Sequence, residues 1–200
     1  AVEEETLCRA IATTLAETQA FALRFGERRG DAPPPLRHDP QRIPPLQRID
    51  LQTHGDPWQA AQSLMREDIA QRRALHSEPL AAAWLLKLGP ERYLWYVRAH
   101  HILVDGFGMA LIEHRCAALY AHYLGEGSAG IPLGAFDAFQ QAELAYADSE
   151  RCERDRRFWQ SYLPPSQALP TVRKGGEAYG VRRLSTHHRL PAAVSQRLAQ

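Results

Sequence analysis

The 200-residue sequence predicts a mixed chain of the α/β or α+β class, in which helices alternate with strands. Three patterns carry this expectation. Leu7, Ile11 and Leu15 recur every four positions near the start. Two apolar runs, LAAAWLLKL (80–88) and YLWYVRAHH (93–101), flank the short turn GPER. Just after them, Met109, Ile112, Cys116, Leu119 and Tyr123 repeat with helical spacing.

Taken in order, residues 3 to about 18 combine that period of four with glutamates in the first turn, where negative charge favours the helix dipole. Phe21, Leu23 and Phe25 alternate with smaller or polar residues, as in a half-buried strand, and Gly26 ends it. Residues 27–46 hold six prolines and many charges, which predicts a long irregular surface connection. Asp56-Pro57 reads as an N-cap followed by proline in the first turn, with Trp58, Ala61, Met65 and Ile69 as the buried stripe of the helix. The two apolar runs at 80–88 and 93–101 predict a β-hairpin, and a helix follows to about residue 124. GEGSAG (125–130) reads as a loop, and a helical region extends from about 136 to 163. Lys174-Gly175-Gly176 reads as a linker, 181–190 as a strand, and Pro191 as the opening of a helix that the last residue, Gln200, cuts short.

Composition narrows the function classes. The chain is 44% apolar and 24% charged, the balance of an ordinary globular protein. Lysine plus arginine (24) nearly equals aspartate plus glutamate (23), so no large basic field exists to hold nucleic acid or an anionic membrane. Cys8, Cys116 and Cys152 are odd in number, widely separated and without CxxC spacing; neither a disulfide framework nor a cysteine-based zinc site is expected, and a reducing cytosol is the default compartment. The N-terminus is acidic where a secretory signal would be basic, and the longest apolar run, 80–86, is too short to cross a bilayer. GxxxxGK does not occur, and the GxGxxG string GEGSAG (125–130) reads as a loop after a helix rather than as a strand-to-helix turn, so the sequence carries no nucleotide or flavin signal.

The stretch AHHILVDGFG (99–108) stands out. On a strand running from 93 to 101, Tyr93, Trp95, Val97, Ala99 and His101 share one face while Arg98 and His100 share the other. Adjacent histidines then point apart, have different jobs, and do not meet on one metal ion. At the end of a strand, His101 is placed for acid/base work near its ordinary pKa of about 6.5, or else is a core histidine bonded to backbone. Asp105 either holds an imidazole or an arginine in place, or caps the helix beginning near Gly108; Gly106 and Gly108 permit close backbone approach or positive φ.

HHILVDG (100–106) resembles HHxxxDG, the signature of condensation domains of nonribosomal peptide synthetases. The surroundings match in the same order: ALRFGERRG (22–30), EPLAAAWLLKL (78–88), WYVRAHH (95–101), DGFGMALIEHRCAALYAHYL (105–124) and RRFWQSYLPP (156–165). The resemblance implies an α/β fold, an α+β two-layer sandwich like one lobe of chloramphenicol acetyltransferase, whose two lobes form a V around a tunnel. It implies that residues 1–173 are the N-terminal lobe and 174–200 a linker and the start of the C-terminal lobe. It also implies the reaction: the amine of an acceptor aminoacyl thioester attacks a donor acyl thioester, both carried on phosphopantetheine arms of peptidyl carrier proteins, beside neighbouring synthetase domains. Mapped onto this sequence, His101 is the catalytic histidine and His100 a structural one. Asp105 is the structural aspartate that pairs with an arginine, for which Arg24 is one candidate, and Gly106 is where backbone meets the incoming pantetheine arm. No metal is implied, and the chain itself holds no cofactor.

One departure is visible. Many family members carry an arginine just after the PL of the segment before the hairpin, whereas this chain has Pro79-Leu80-Ala81-Ala82-Ala83, so that arginine's contacts are missing or replaced. Rival readings of the same signature are an epimerization domain, a coenzyme A acyltransferase with HxxxDG, and a condensation-like recruiting module without catalysis. Heterocyclization domains replace the histidines with aspartates and are disfavoured. Trp58, Trp84, Trp95 and Trp159 are expected in cores. His187-His188 lacks a following Asp-Gly and is assigned no chemistry, and RCERDRR (151–157) reads as a solvated helix face.

Overall fold

A computed structural model of the chain describes residues 1–27, 30 and 34–163. The expected linker at 174–176, the strand at 181–190, the helix from Pro191 and His187-His188 all lie outside the described residues. Chain contacts divide the molecule into two units, Ala1–Asp148 and Ser149–Gln200.

The first unit begins with helix α1 (Glu4–Glu17), whose Ala10, Ile11, Thr14 and Leu15 are buried. Thr14 and Thr18 return their hydroxyls to the carbonyls of Ala10 and Thr14, both at 2.8 Å, which satisfies polar groups inside an apolar environment. A 3-10 turn (Gln19–Ala22) buries Phe21 and leads into strand β1 (Leu23–Phe25), which pairs antiparallel with β2 (Leu36–His38). The strand expected from Phe21 therefore starts two residues later, after the turn. β2 and a 3-10 turn at Pro40–Arg42 interrupt the proline-rich stretch expected to be irregular.

Strand β3 (Leu46–Asp50) comes next, then helix α2 (Pro57–Ala70), β4 (Ala81–Gly89) and β5 (Arg92–Ala99). These strands form one sheet in the order β3-β4-β5, with β3 parallel and β5 antiparallel to the central β4. Helix α3 (Gly106–Tyr123) returns over the sheet, and helix α4 (Phe136–Ala147) ends the unit.

Alternation along β4 explains the layers. Ala81, Ala83 and Leu85 face Ile11 and Leu15 of α1 and Ile112, Cys116 and Leu119 of α3 in one apolar cluster. Leu86 and Leu88 face the other way, against Ala61 of α2 and Leu51 just after β3. The mixed α/β class is borne out, and to the expected two layers is added α2, which covers the second face of the sheet. The helix cap at Asp56 is as expected, its side chain accepting the Gln59 N–H at 3.0 Å. The stripe of α2 differs: Ile69 is 65% exposed and Trp58 lies partly in solvent, while Ala61 and Asp68 are the buried positions. Asp68 takes the buried place because Tyr96 and Arg98 of β5 donate to it.

The single helical region expected over 136–163 breaks at Asp148. In the second unit, Ser149 caps helix α5 (Glu150–Tyr162) by accepting the Cys152 N–H at 3.1 Å. Arg156 and Arg157 pair with Glu153 along its solvated face, as expected for RCERDRR. Trp159 is exposed and stacks edge-on with Phe158, so of the four tryptophans only Trp84 and Trp95 pack in the clusters.

Ionic ties at both ends hold α1 to the rest. Glu17 receives both arms of the buried Arg115 guanidinium, each at 2.7 Å, and also the Leu133 N–H, which fastens the loop before α4. Glu4 accepts from Lys87 Nζ at 2.7 Å, from Arg48 and from the Tyr93 hydroxyl at 2.9 Å, tying the start of α1 to all three strands. The Lys87 hydrogen bond, then those of Arg48 and Tyr93, pull the Glu4 carboxyl from 4.5 to about 2. A carboxylate whose pKa is lower in the folded than in the unfolded chain stabilises the fold above the unfolded value, and that contribution fades as pH falls through the folded one. Glu4→Gln is therefore expected to unfold below wild type at pH 7, with the gap closing as pH falls from about 4.5 to about 2. Thermal unfolding across this range checks it; a gap that stays constant contradicts the assignment.

Candidate active site

The histidine pair sits where the hairpin hands over to α3. Regular β5 pairing ends at Ala81 opposite Ala99, so His100 and His101 lie in the turn that follows rather than on strand positions. The expected alternation of faces holds from Tyr93 to Ala99: Tyr93, Trp95, Val97 and Ala99 pack on the α1/α3 side, and Leu94 on the α2 side. It stops before the histidines because the chain bends there. The His100 N–H still donates to the Leu80 carbonyl at 2.8 Å, and the His100 carbonyl accepts the Leu103 N–H at 2.9 Å, closing the turn over the buried Leu103.

His100 turns its ring into the same bend. Its Nδ1 accepts the Ile102 N–H at 3.1 Å. His101 is exposed, and among the described residues its ring makes no hydrogen bond. Both histidines are exposed, but one ring is used by the turn while the other is unengaged among the described residues.

Asp105 caps α3. Its carboxylate accepts the Gly108 N–H at 2.8 Å, and its carbonyl accepts the Met109 N–H at 3.0 Å, so the helix begins at Gly106, three residues ahead of its apolar repeat. Arg24 is not its partner. The Arg24 guanidinium instead binds the Asp39 carboxylate at 2.9 Å, because the β1–β2 pairing places Asp39 just beyond Arg24's own strand.

The two glycines differ. Neither has positive φ. A Cβ on Gly108 would lie 2.3 Å from Val104 Cγ2, a stiff β-branched neighbour, so close approach requires glycine there. A Cβ on Gly106 would meet nothing within 4 Å, leaving open space beside the turn. Ile102, Phe107 and Leu111 add exposed apolar surface to the turn and the first turns of α3, with Phe107 73% exposed.

On the opposite face of the sheet, sequence reading missed a polar hub. Asp68 of α2 is buried yet accepts from Arg73 Nη2 at 2.6 Å, from the Tyr96 hydroxyl at 2.8 Å and from Arg98 Nε. Burial, and then the Asp68 carboxylate, push the Tyr96 hydroxyl well above its ordinary range. The period was available: Asp68 lies seven residues after Ala61, and Arg98 two after Tyr96. An apolar-only stripe skipped both charges. Among the described residues, no group of three or more histidine, cysteine, aspartate or glutamate side chains is spaced to hold a metal ion. No described helix is long and apolar enough to cross a membrane.

The model of the Condensation domain family matches residues 1–200, and the chain belongs to that family. It is 34% identical over 151 residues to the dimodular nonribosomal peptide synthase of Bacillus subtilis (strain 168), covering 75% of this chain and 6% of that protein. It is 33% identical over 177 residues to enterobactin synthase component F of Escherichia coli (strain K12), covering 84% of this chain and 13% of that protein. Among solved structures, it resembles VibH, an NRPS condensation enzyme, with a TM-score of 0.72 and 29% identity over 82% of this chain and 38% of VibH. The starter condensation domain of rhizomide synthetase RzmA matches with a TM-score of 0.69 and 28% identity, over 86% of this chain and 40% of that one. The chain thus spans a small fraction of the curated relatives and about two fifths of these solved structures.

Removing the cap tests the turn. Asp105→Ala is expected to cost about 1 kcal/mol, as N-cap losses do, whereas Asp105→Asn keeps most of the stability. Gly108→Ala is expected to destabilise as well, by displacing Val104 or the turn. Chemical unfolding of the three variants measures this, and an Asp105→Ala variant as stable as wild type contradicts the capping role.

Proposed function

We propose that this chain supplies the histidine-bearing lobe for amide bond formation between two carrier-bound thioesters in nonribosomal peptide synthesis. The observation that carries the reading is the contrast within the exposed pair: the His100 ring is engaged by its own turn, while the His101 ring is unengaged among the described residues, beside the open space at Gly106.

The substrates are a donor acyl group and an acceptor aminoacyl group, each thioesterified to phosphopantetheine on a peptidyl carrier protein. The acceptor amine attacks the donor carbonyl carbon, the carbon–sulfur bond breaks, and an amide and a free pantetheine thiol result, with the amine's proton balancing the departing thiolate. A free α-amine has a pKa near 8, so a useful fraction is neutral at cellular pH and no strong base is needed. His101 mainly orients that amine and stabilises the tetrahedral intermediate, and proton transfer is secondary. His100 and Asp105 hold the turn. The unfilled space at Gly106 fits the passage of a slender pantetheine arm, and the exposed Ile102, Phe107 and Leu111 offer it apolar surface. Cytoplasmic location follows from the carriers and substrates of such synthesis.

The test uses the full-length protein with loaded donor and acceptor carriers, reading the acceptor carrier by intact mass. Wild type is expected to add the donor mass, and His101→Ala to slow this by about 10²- to 10⁴-fold, the range of a lost acid/base or orienting group. Unchanged amide formation in His101→Ala defeats the role. Exchange of the acceptor α-proton without mass gain would indicate an epimerase, and carrier binding with neither signal a recruiting module.

A further inference from the structure

We infer that Arg98 is a positioning residue for His101, acting through the Leu80 carbonyl; the inference rests on the role proposed above for His101. Arg98 and Tyr96 occupy alternate positions on β5, both on the α2 side, where the Asp68 carboxylate receives Arg98 Nε and the Tyr96 hydroxyl. Asp68 is itself held by Arg73 Nη2 at 2.6 Å, so the carboxylate is clamped from two elements. The opposite edge of the Arg98 guanidinium extends along the sheet: Nη1 donates to the Leu80 carbonyl at 3.3 Å. That oxygen also accepts the His100 N–H at 2.8 Å. Leu80 is buried, and its carbonyl is the last point at which the β4 side grips the chain before the histidine turn.

The consequence is geometric. Arg98 spans a fixed carboxylate on α2 and the carbonyl that anchors His100, and the His100 carbonyl and ring in turn close the bend that presents His101. Space for this arm comes from Ala82, directly opposite Arg98 in the β4–β5 register, where a large side chain would compete for it. This is also the alanine segment in which the arginine expected from the family resemblance is lacking. A guanidinium suits the task because its planar fork donates in two directions at once, which an ammonium does not reproduce.

Arg98→Lys separates positioning from folding: it keeps a charge for Asp68 but cannot span Asp68 and Leu80 together. In the full-length protein with loaded carriers, Arg98→Lys is expected to unfold within a few degrees of wild type yet lower kcat about tenfold, inside the roughly 10²-fold that misplacement by ~1 Å costs. KM for the acceptor carrier stays unchanged, and in a His101→Ala background the same substitution lowers the residual rate less than twofold, because residues acting as a unit are not additive. Arg98→Met, which removes the charge, is expected to lose stability and kcat together. The inference is overturned if Arg98→Lys has wild-type kcat, or if its effect is equally large with and without His101. It also falls if His101→Ala itself is as fast as wild type, and that result alone sinks the functional reading as well.

Discussion

The placement of the histidine turn depends on one carbonyl oxygen, that of Leu80. Leu80 precedes the central strand, and its oxygen takes the His100 N–H just after β5 has run out of paired residues. That bond extends the register of the hairpin one step past Ala99 and sets where the chain bends. A turn anchored at a sheet is held by the cooperativity of the sheet, so the site inherits the rigidity of the most buried part of the fold. The central strand supplies that burial. Its side chains alternate between two apolar clusters, and a slip of one residue would send Leu85 and Leu86 to the wrong faces.

Around this hairpin the charges do more than cover the surface. Glu4, Glu17 and Asp68 each collect donors from elements distant in sequence and fix a helix against a strand or a loop. For the buried Asp68, losing one donor would be costly; the partly buried Glu4 and Glu17 define register through the elements they join. Asp68 locks α2 to β5 on one face of the sheet; Glu17 locks α1 to α3 and to the approach to α4 on the other. The histidine turn emerges between two braced faces and can remain exposed without being loose.

Much of this was legible in the sequence, and the failures share a cause. Periodicity located α1, the hairpin and α3, and the Asp56-Pro57 pair located the start of α2, because in each case apolar spacing and a local cap agree. Strand β3 was missed because LQRID has little apolar alternation; it is held from outside, by its parallel pairing to β4 and by Arg48 reaching Glu4. The stripe of α2 was misjudged at Ile69 because the buried residue beside it is an aspartate. Of the site, Asp105 as a cap could be read locally, from the residues that follow it. The partner of Arg24 could not, since Asp39 comes into reach only through the β1–β2 pairing. The different employment of His100 and His101 was expected from strand alternation, but it arises from the hydrogen bonds of a turn, and a chain's bend is set by long-range anchoring that no short window contains.

Hydrogen exchange of the His100 amide in the full-length protein measures that anchoring directly. If the Leu80–His100 bond extends the sheet to the site, this amide exchanges as slowly as the amides at the centre of the β4–β5 pairing, orders of magnitude below an exposed turn. Exchange at the rate of an open loop would mean that the histidine turn is not held by the hairpin, and that the geometry offered for His101 is wrong.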